Sequence, residues 1–147
     1  ENRIMTLTNF SFNVKSSGKP LDLEVKLDSI VIHNLTIDSE ITPVTIELDD
    51  DIEEEHCLEI ILKNKTSEHT TVDENDNIIE DSELVFSDIT VDKIDIEELL
   101  YFQAKYSHNF NGSGEPTEEN FYGTMGCNGV VQIRLQTPIY LWLLENL

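Results

Sequence analysis

The apolar residues of this chain recur at every second position, and this period of two constrains the fold more than any other feature. Leu21, Leu23, Val25 and Leu27 alternate with charged residues, a pattern typical of a strand with one face in the core and one in solvent. The same alternation occupies seven further segments: 10–14, 31–37, 44–48, 58–62, 89–91, 94–96 and 131–135. Turn-forming residues separate these segments. The spacing predicts a mainly β protein, either a β-sandwich or a β-barrel.

Two segments depart from this alternation. The pattern over residues 96–103 predicts one short helix. Residues 139–146 form a largely apolar run after Pro138. Periodicity does not distinguish a buried strand from a helical turn in so short a run, so both remain open for the second segment. No Pro-rich or Ser-rich linker divides the 147 residues. We therefore predict a single β-sandwich domain over residues 1–147.

Thirty acidic residues against nine basic ones give the chain a net charge of −21. Residues 38–98, which we call the acidic segment, hold 22 of these acids and three of the bases. Apolar residues alternate through the segment, so the acids are expected on solvent-facing sides of strands and in loops. A phosphate surface would repel such a chain, which excludes nucleic acids and anionic membranes as partners. The sequence contains no apolar run of 18 residues and no signal-peptide pattern.

Residues 73–81 form the candidate metal site. Asp73, Asn75 and Asn77 match the opening of a calcium-binding loop, and Asp81 adds a carboxylate. The glycine and the bidentate glutamate that complete such a loop are both missing, so the pattern favours an acidic hairpin turn. A calcium ion held by several loops, including the acidic run 49–55, is the alternative. Calcium is thus the one cofactor considered, and otherwise none is predicted.

The sequence offers little for catalysis. It contains neither H-x-x-x-H nor C-x-x-C, which argues against zinc, and it has no serine on a glycine-rich elbow and no phosphate-binding loop. Cys57 is predicted in the core and Cys127 in a turn. Thirty acids form many chance pairs, so a hydrolase with two facing carboxylates is kept as a further hypothesis beside the two non-catalytic functions given below. The prediction is that the protein is not an enzyme.

The aromatic residues cluster in the last third of the chain. Tyr106, His108 and Phe110 precede a glycine-rich loop, and together with Tyr122 they are the candidate glycan-binding residues. In such a site the rings stack on sugar faces while amides and carboxylates bind hydroxyl groups. The alternative is that rings fill the core, and we predict this for three others, Phe102, Tyr140 and Trp142. Tyr106, Phe110 and Tyr122 are compatible with either role.

Three stretches carry a resemblance. They read LEIILKNKTSEHTTVDENDNIIED at 58–81, DKIDI at 92–96, and GTMGCNG at 123–129 followed by TPIYLWLLENL at 137–147. With these stretches, residues 44–147 resemble small, acidic, uncharacterised proteins of tailed phages of marine bacteria. The resemblance implies an antiparallel β-sandwich of the jelly-roll type, similar to that of carbohydrate-binding modules, and it assigns no catalytic or binding residue.

The resemblance implies a non-catalytic structural or interaction module of a phage virion, either a capsid decoration or an accessory tail protein. Such a protein is made in the host bacterial cytoplasm and lies on the particle surface, and its partners are other virion proteins or further copies of itself. The alternative is a carbohydrate-binding module, with or without calcium, that attaches the particle to host surface glycans. The alternative predicts at least one exposed ring beside polar groups.

Overall fold

The computed structural model describes residues 6–147, and they form two antiparallel sheets packed face to face. The strands are β1 (Leu7–Ser16), β2 (Leu21–Leu27), β3 (Ile30–Ile37), β4 (Thr42–Asp49), β5 (Glu54–Lys63), β6 (Thr70–Val72), β7 (Ile78–Asp81), β8 (Leu84–Val91), β9 (Ile94–Asp95), β10 (Ala104–His108), β11 (Thr117–Asn120), β12 (Thr124–Met125) and β13 (Gly129–Thr137). Two short helices, α1 (Glu97–Gln103) and α2 (Ile139–Asn146), complete the fold. The predicted antiparallel β-sandwich is confirmed.

The strands fall into one five-stranded and one six-stranded sheet. The five-stranded sheet has the order β12-β8-β1-β4, with β9 paired to β8. The six-stranded sheet has the order β11-β10-β13-β5-β2-β3. Strands β6 and β7 form a separate two-stranded hairpin. The acidic segment contributes strands to both sheets, β4 and β8 to one and β5 to the other.

The core lies between the sheets and is built from the alternate apolar residues. On β1 these are Phe10, Phe12 and Val14, and on β5 they are Leu58, Ile60 and Leu62, all almost fully buried. Edge-to-face aromatic contacts run across the core, with ring centroids 5.3 Å apart for Phe12 and Phe86 and 5.5 Å for Phe86 and Phe121. Because each inward residue has outward neighbours, the same alternation also fixes the solvent-facing surface of each sheet.

Both helices lie where the alternation fails. Helix α1 covers the predicted segment, and its first turn carries Glu97 and Glu98, which suit the positive end of the helix dipole. The run after Pro138 is a helix, which settles the alternative left open by its periodicity. Helix α2 buries Ile139, Trp142 and Leu143, at the i, i+3 and i+4 spacing of one helical face. Among the described residues, no helix is long and apolar enough to cross a membrane.

The core prediction is right for Trp142 and wrong for Phe102 and Tyr140. Trp142 is buried, and its indole donates to the backbone carbonyl of Arg134 at 3.0 Å. Phe102 is 76% exposed, and Tyr140 is also exposed. Each helix packs through one face only, so its remaining apolar side chains point to solvent. Leu141, Leu144 and Leu147 are exposed with them.

The predictions for the two cysteines have different outcomes. Cys127 lies in the turn before β13, as predicted. Cys57 is partly exposed instead of buried, because Leu58 takes the inward position on β5 and turns its neighbour outward. Both cysteines are free thiols.

The β6–β7 hairpin is attached to the sandwich through a buried lysine. Lys65 follows β5, and its ammonium contacts the Asp81 carboxylate at 2.8 Å and the carbonyl of Gly126 at 2.5 Å. The backbone N–H of Lys65 donates to the Asn128 side chain at 2.8 Å. Asp81 also accepts from Thr70 at 2.7 Å. One side chain thus joins β5, the hairpin and the turn before β13.

Candidate functional site

The outward-pointing residues of the six-stranded sheet form a broad polar surface, which we call the outer face. On β10 these residues are Lys105 and Ser107, since Tyr106 and His108 on the same strand are buried. The strand register aligns Lys105 with Asn120 of β11 and with Gln132 of β13. Amide, hydroxyl and ammonium groups therefore stand side by side across three adjacent strands.

A pair of tyrosines, one exposed and one half-buried, borders this part of the outer face. Tyr122 is 67% exposed, and its ring packs against Tyr101 of α1 with centroids 5.3 Å apart and planes tilted by 57°. The Asn120 amide nitrogen lies 3.4 Å from the Tyr122 hydroxyl, and its carbonyl oxygen accepts from the Lys105 ammonium at 2.6 Å. A ring held by a second ring, with an amide and a cation beside it, can stack on one face of a ligand and bind polar groups at its rim.

The other three glycan-binding candidates form an aromatic ladder, with Tyr106 and His108 on the inward side of β10 and Phe110 in the loop that follows it. Ring centroids are 4.7 Å apart for Tyr106 and His108 and 4.7 Å for His108 and Phe110. Tyr106 and His108 are buried, while Phe110 is 48% exposed. The structure therefore brings these three together and places Tyr122 at the opposite end of the β10–β11 pair. Their role in binding stays a prediction, and Phe110 and Tyr122 are the two that present a ring to solvent.

The Tyr106 hydroxyl is fully engaged by the protein. It donates to the Cys127 carbonyl and accepts from the Cys127 backbone N–H at 2.9 Å. Burial, against a smaller opposing effect of the backbone hydrogen bond, raises the pKa of the Tyr106 phenol well above its usual value. The side chain therefore fixes the turn before β13.

A groove of about 470 Å³ opens at the end of β10 away from Tyr122. Ser107, Asn109, Thr117, Glu118 and Asn128 are among the residues that line it. Ser107 lies two positions after Lys105 on β10, which corresponds to about 7 Å at the usual strand rise. The groove and the tyrosine pair are thus two ends of one polar strip.

A second recess, of about 430 Å³, lies beside Arg134. His56 and Asp28 meet there, with the imidazole Nδ1 2.6 Å from the carboxylate. Burial works against ionisation of Asp28, but hydrogen bonds from His56 and the Cys57 backbone outweigh it and lower the carboxyl pKa. Burial raises the pKa of the Cys57 thiol, so the cysteine in this recess is a poor nucleophile at neutral pH. The recess is better suited to binding than to covalent catalysis.

The structure brings together three of the four predicted metal ligands. Asp73, Asn75 and Asn77 share the tip of the β6–β7 hairpin, where the Asp73 carboxylate accepts from the Asn75 N–H at 2.8 Å and the Asn77 N–H at 2.9 Å. These backbone hydrogen bonds lower the pKa of Asp73. Asp81 lies at the other end of the hairpin, opposite Thr70. Over residues 6–147, no group of three or more His, Cys, Asp and Glu side chains is placed to hold a metal ion.

Sequence reasoning missed several residues of the site, namely Tyr101, Lys105, Asn120 and Arg134. The outward position of Arg134 follows from the alternation over 131–135. The proximity of Lys105, Asn120 and Tyr122 follows only from the register of β10 with β11, which pairs Lys105 with Asn120, fifteen positions later in the chain. No local pattern in the sequence encodes that pairing.

A solved structure has a similar fold, whereas the two sequence comparisons found no match. No protein-family model matches the chain, and no curated protein matches it. A solved structure described as "vCBM60 in complex with galactobiose" aligns with a TM-score of 0.51 and 8% sequence identity, over 85% of this chain and 96% of that chain. The likeness concerns the fold alone and gives no support to a phage origin or a virion role. The chain therefore has a β-sandwich fold that is similar to that of a carbohydrate-binding module.

Proposed function

We propose that the protein is a non-catalytic glycan-binding module and that its sugar ligand lies on the outer face beside Tyr122. The observation that carries the proposal is the exposed Tyr122 ring, which packs on Tyr101 and stands next to Asn120 and Lys105. A pyranose ring has an apolar C–H face that matches an aromatic ring, and it has hydroxyl groups that need polar partners at the rim. Both requirements meet at this one place.

The structural neighbour supports a test with galactose-containing sugars first. Its description names galactobiose as the bound ligand, and its β-sandwich is similar to this one. At 8% identity no residue of that binding site is transferred to this chain. The proposal for Tyr122 therefore rests on the geometry of the outer face.

The experiment is calorimetric titration against a panel of soluble oligosaccharides, starting with galactobiose, on the wild type and on Tyr122→Ala. Loss of one well-packed aromatic contact lowers affinity by about tenfold or more. Tyr140→Ala is the matched control, because Tyr140 is also an exposed tyrosine but lies on α2. Phe110→Ala tests the aromatic ladder as a rival site. If Tyr122→Ala keeps the wild-type affinity and Phe110→Ala loses it, the binding site lies at the aromatic ladder. If the wild type binds no glycan of the panel, the proposed glycan-binding function is wrong.

The virion role is the second proposal, and the surface of the two helices supports it. Exposed apolar side chains gather on α1 and α2, among them Phe102, Leu141 and Leu144. A module that attaches to a larger particle needs an exposed apolar surface of this kind. On this proposal the protein lies on a phage particle surface and binds other virion proteins there. Co-sedimentation with particles that lack the protein tests it, with Leu144→Lys expected to abolish attachment, and absence of co-sedimentation contradicts it.

A further inference from the structure

The outer face differs in charge from the rest of the molecule. It carries four of the nine basic residues of the chain, and only five of the thirty acids. The bases are Lys26, Lys63, Lys105 and Arg134, and the acids are Asp22, Glu24, Glu55, Glu59 and Glu118. A chain of net charge −21 thus has one sheet surface that is close to neutral.

The four bases of the outer face divide into two pairs. Lys63 and Lys26 both contact Glu24, at 2.8 Å and 3.7 Å. The hydrogen bond from Lys63, which outweighs the effect of burial, lowers the pKa of Glu24. In contrast, no carboxylate oxygen of residues 6–147 lies within 4.0 Å of the Lys105 ammonium or the Arg134 guanidinium.

Lys105 and Arg134 are diagonal neighbours on adjacent strands. The register pairs Lys105 with Gln132, and Arg134 lies two residues further along β13. Such positions are about 7 to 8 Å apart, a span that one anionic group or one sugar unit can bridge. Tyr122 follows β11 two residues after Asn120, and the Asn120 side chain contacts both the Lys105 ammonium and the Tyr122 hydroxyl. Two cations that pair with no carboxylate of residues 6–147 therefore lie on the same part of the outer face as the exposed ring, Lys105 next to Asn120 and Arg134 on the strand beyond β10.

We propose that the ligand of the outer face is an anionic glycan. Its carboxylate or sulfate group lies between the Lys105 ammonium and the Arg134 guanidinium, while a neighbouring sugar ring stacks on Tyr122. The guanidinium suits this role because its planar donors match two oxygens of one anion. This inference rests on the proposed function and adds the charge class of the ligand.

The acidic residues around the site set a further condition on the ligand. Glu59 neighbours Gln132 on the outer face, and Glu118 lies one outward position beyond Asn120 on β11. These carboxylates and the net charge of −21 repel a polyanion at long range. At physiological salt, charges in solvent are screened beyond about 8 Å, so direct contacts at Lys105 and Arg134 dominate. A short oligosaccharide with its anion at this point is the ligand that the charges allow.

The test compares two oligosaccharides that differ at a single C6: β-1,4-galactotetraose, and the same tetramer with galacturonate in place of galactose at the non-reducing end only. Calorimetric titration at 0.15 M salt is expected to give about tenfold tighter binding of the galacturonate tetramer. Lys105→Met and Arg134→Met are each expected to lower, by about fivefold, the ratio of the affinity for the galacturonate tetramer to the affinity for galactotetraose. A 6-sulfated galactotetraose shows whether sulfate replaces carboxylate.

The matched control is Lys15→Met, which makes the same change in net charge at an exposed position of β1, on the other sheet. If the wild type binds galactotetraose as tightly as the galacturonate tetramer, or more tightly, the inference of an anionic ligand is wrong while the glycan-binding function stays in place. Equal effects of Lys105→Met and Lys15→Met would also overturn it. If none of the tetramers binds to the wild type, and neither does any glycan in the panel, both the inference and the proposed function fail. Melting temperatures of all variants confirm that they fold.

Discussion

The ammonium of Lys65 lies 2.8 Å from the carboxylate of Asp81, and the lysine side chain is only 2% exposed. Taking a charge out of water is costly unless it is paired and hydrogen-bonded. Here the carbonyl of Gly126 provides a further acceptor. Asp81, at the base of the hairpin, is therefore occupied as the partner of a buried cation, while Asp73 lies in the turn at the tip.

Removal of the buried ammonium should destabilise the fold. Lys65→Met keeps most of the side-chain volume but leaves the Gly126 carbonyl and the Asp81 carboxylate without their donor. Because Asp81 stays partly hydrated, we expect a loss of about 2 to 4 kcal/mol in the free energy of unfolding. Urea denaturation measures it. Lys15→Met should change stability by less than about 0.5 kcal/mol, and an equal effect of the two variants would contradict the structural role of Lys65.

The same pair makes a prediction about pH. Burial opposes ionisation of Asp81, but the hydrogen bonds from Lys65 and Thr70 outweigh it and lower the carboxyl pKa. A lowered folded-state pKa stabilises the protein above the unfolded pKa of about 3.9, and this contribution is lost as the pH falls through the folded pKa. The difference in unfolding free energy between wild type and Asp81→Asn should therefore be constant from pH 7 to about 5 and shrink below about pH 4. A difference that grows on acidification would contradict this sign.

Tyr106 should matter for stability and not for ligand binding. Tyr106→Phe leaves the buried N–H and carbonyl of Cys127 without their partner, at a cost of about 1 to 3 kcal/mol. Thermal or chemical denaturation measures this cost, with the exposed Tyr140→Phe as a control that changes stability little. Glycan affinity of the folded Tyr106→Phe variant should equal that of the wild type. A specific loss of affinity would instead place the ligand on the aromatic ladder.

Calcium should have little effect on stability. The Asp73 carboxylate is already satisfied by the turn it closes, and Asp81 is paired with Lys65. A specific site at saturating calcium would raise the unfolding free energy by about 2 to 3 kcal/mol at a hundred times the dissociation constant. We expect the melting temperature with about 5 mM calcium, after chelator treatment, to match that in sodium chloride of equal ionic strength. An upward shift specific to calcium would restore the loop site.

The fold could be predicted because the alternation is local. Residues such as Leu23 and Ile133 show their inward orientation through the polar residues on either side, and the sheet packing follows from burying them together. The helix over 96–103 can also be predicted from its local sequence. The helix over 139–146 cannot be predicted in this way, because a run in which most positions are apolar has no period. Packing against β13 selects the helix there.

The site was harder to predict because it depends on exposure and on pairing. Phe102 and Trp142 look alike in sequence, yet one faces solvent and the other the core, according to which face of a short helix meets the sheet. Tyr122 could be named as a candidate but not separated from Tyr106. Its partners Lys105 and Asn120 come together only through the pairing of β10 with β11. The net charge of −21 does not predict that the outer face is close to neutral.

The separate β6–β7 hairpin makes the protein a convenient scaffold for engineering. Its tip, near Asp76, is held by its own turn, and its base is fixed by Lys65, which follows the end of β5 remote from Cys57 and Arg134. Lys63, the last residue of β5, lies six positions after Cys57, which corresponds to about 20 Å along the strand. A fluorophore, an affinity tag or a surface-coupling group grafted at this tip would leave the outer face unobstructed, and immobilised protein would present that face to its ligands in one orientation.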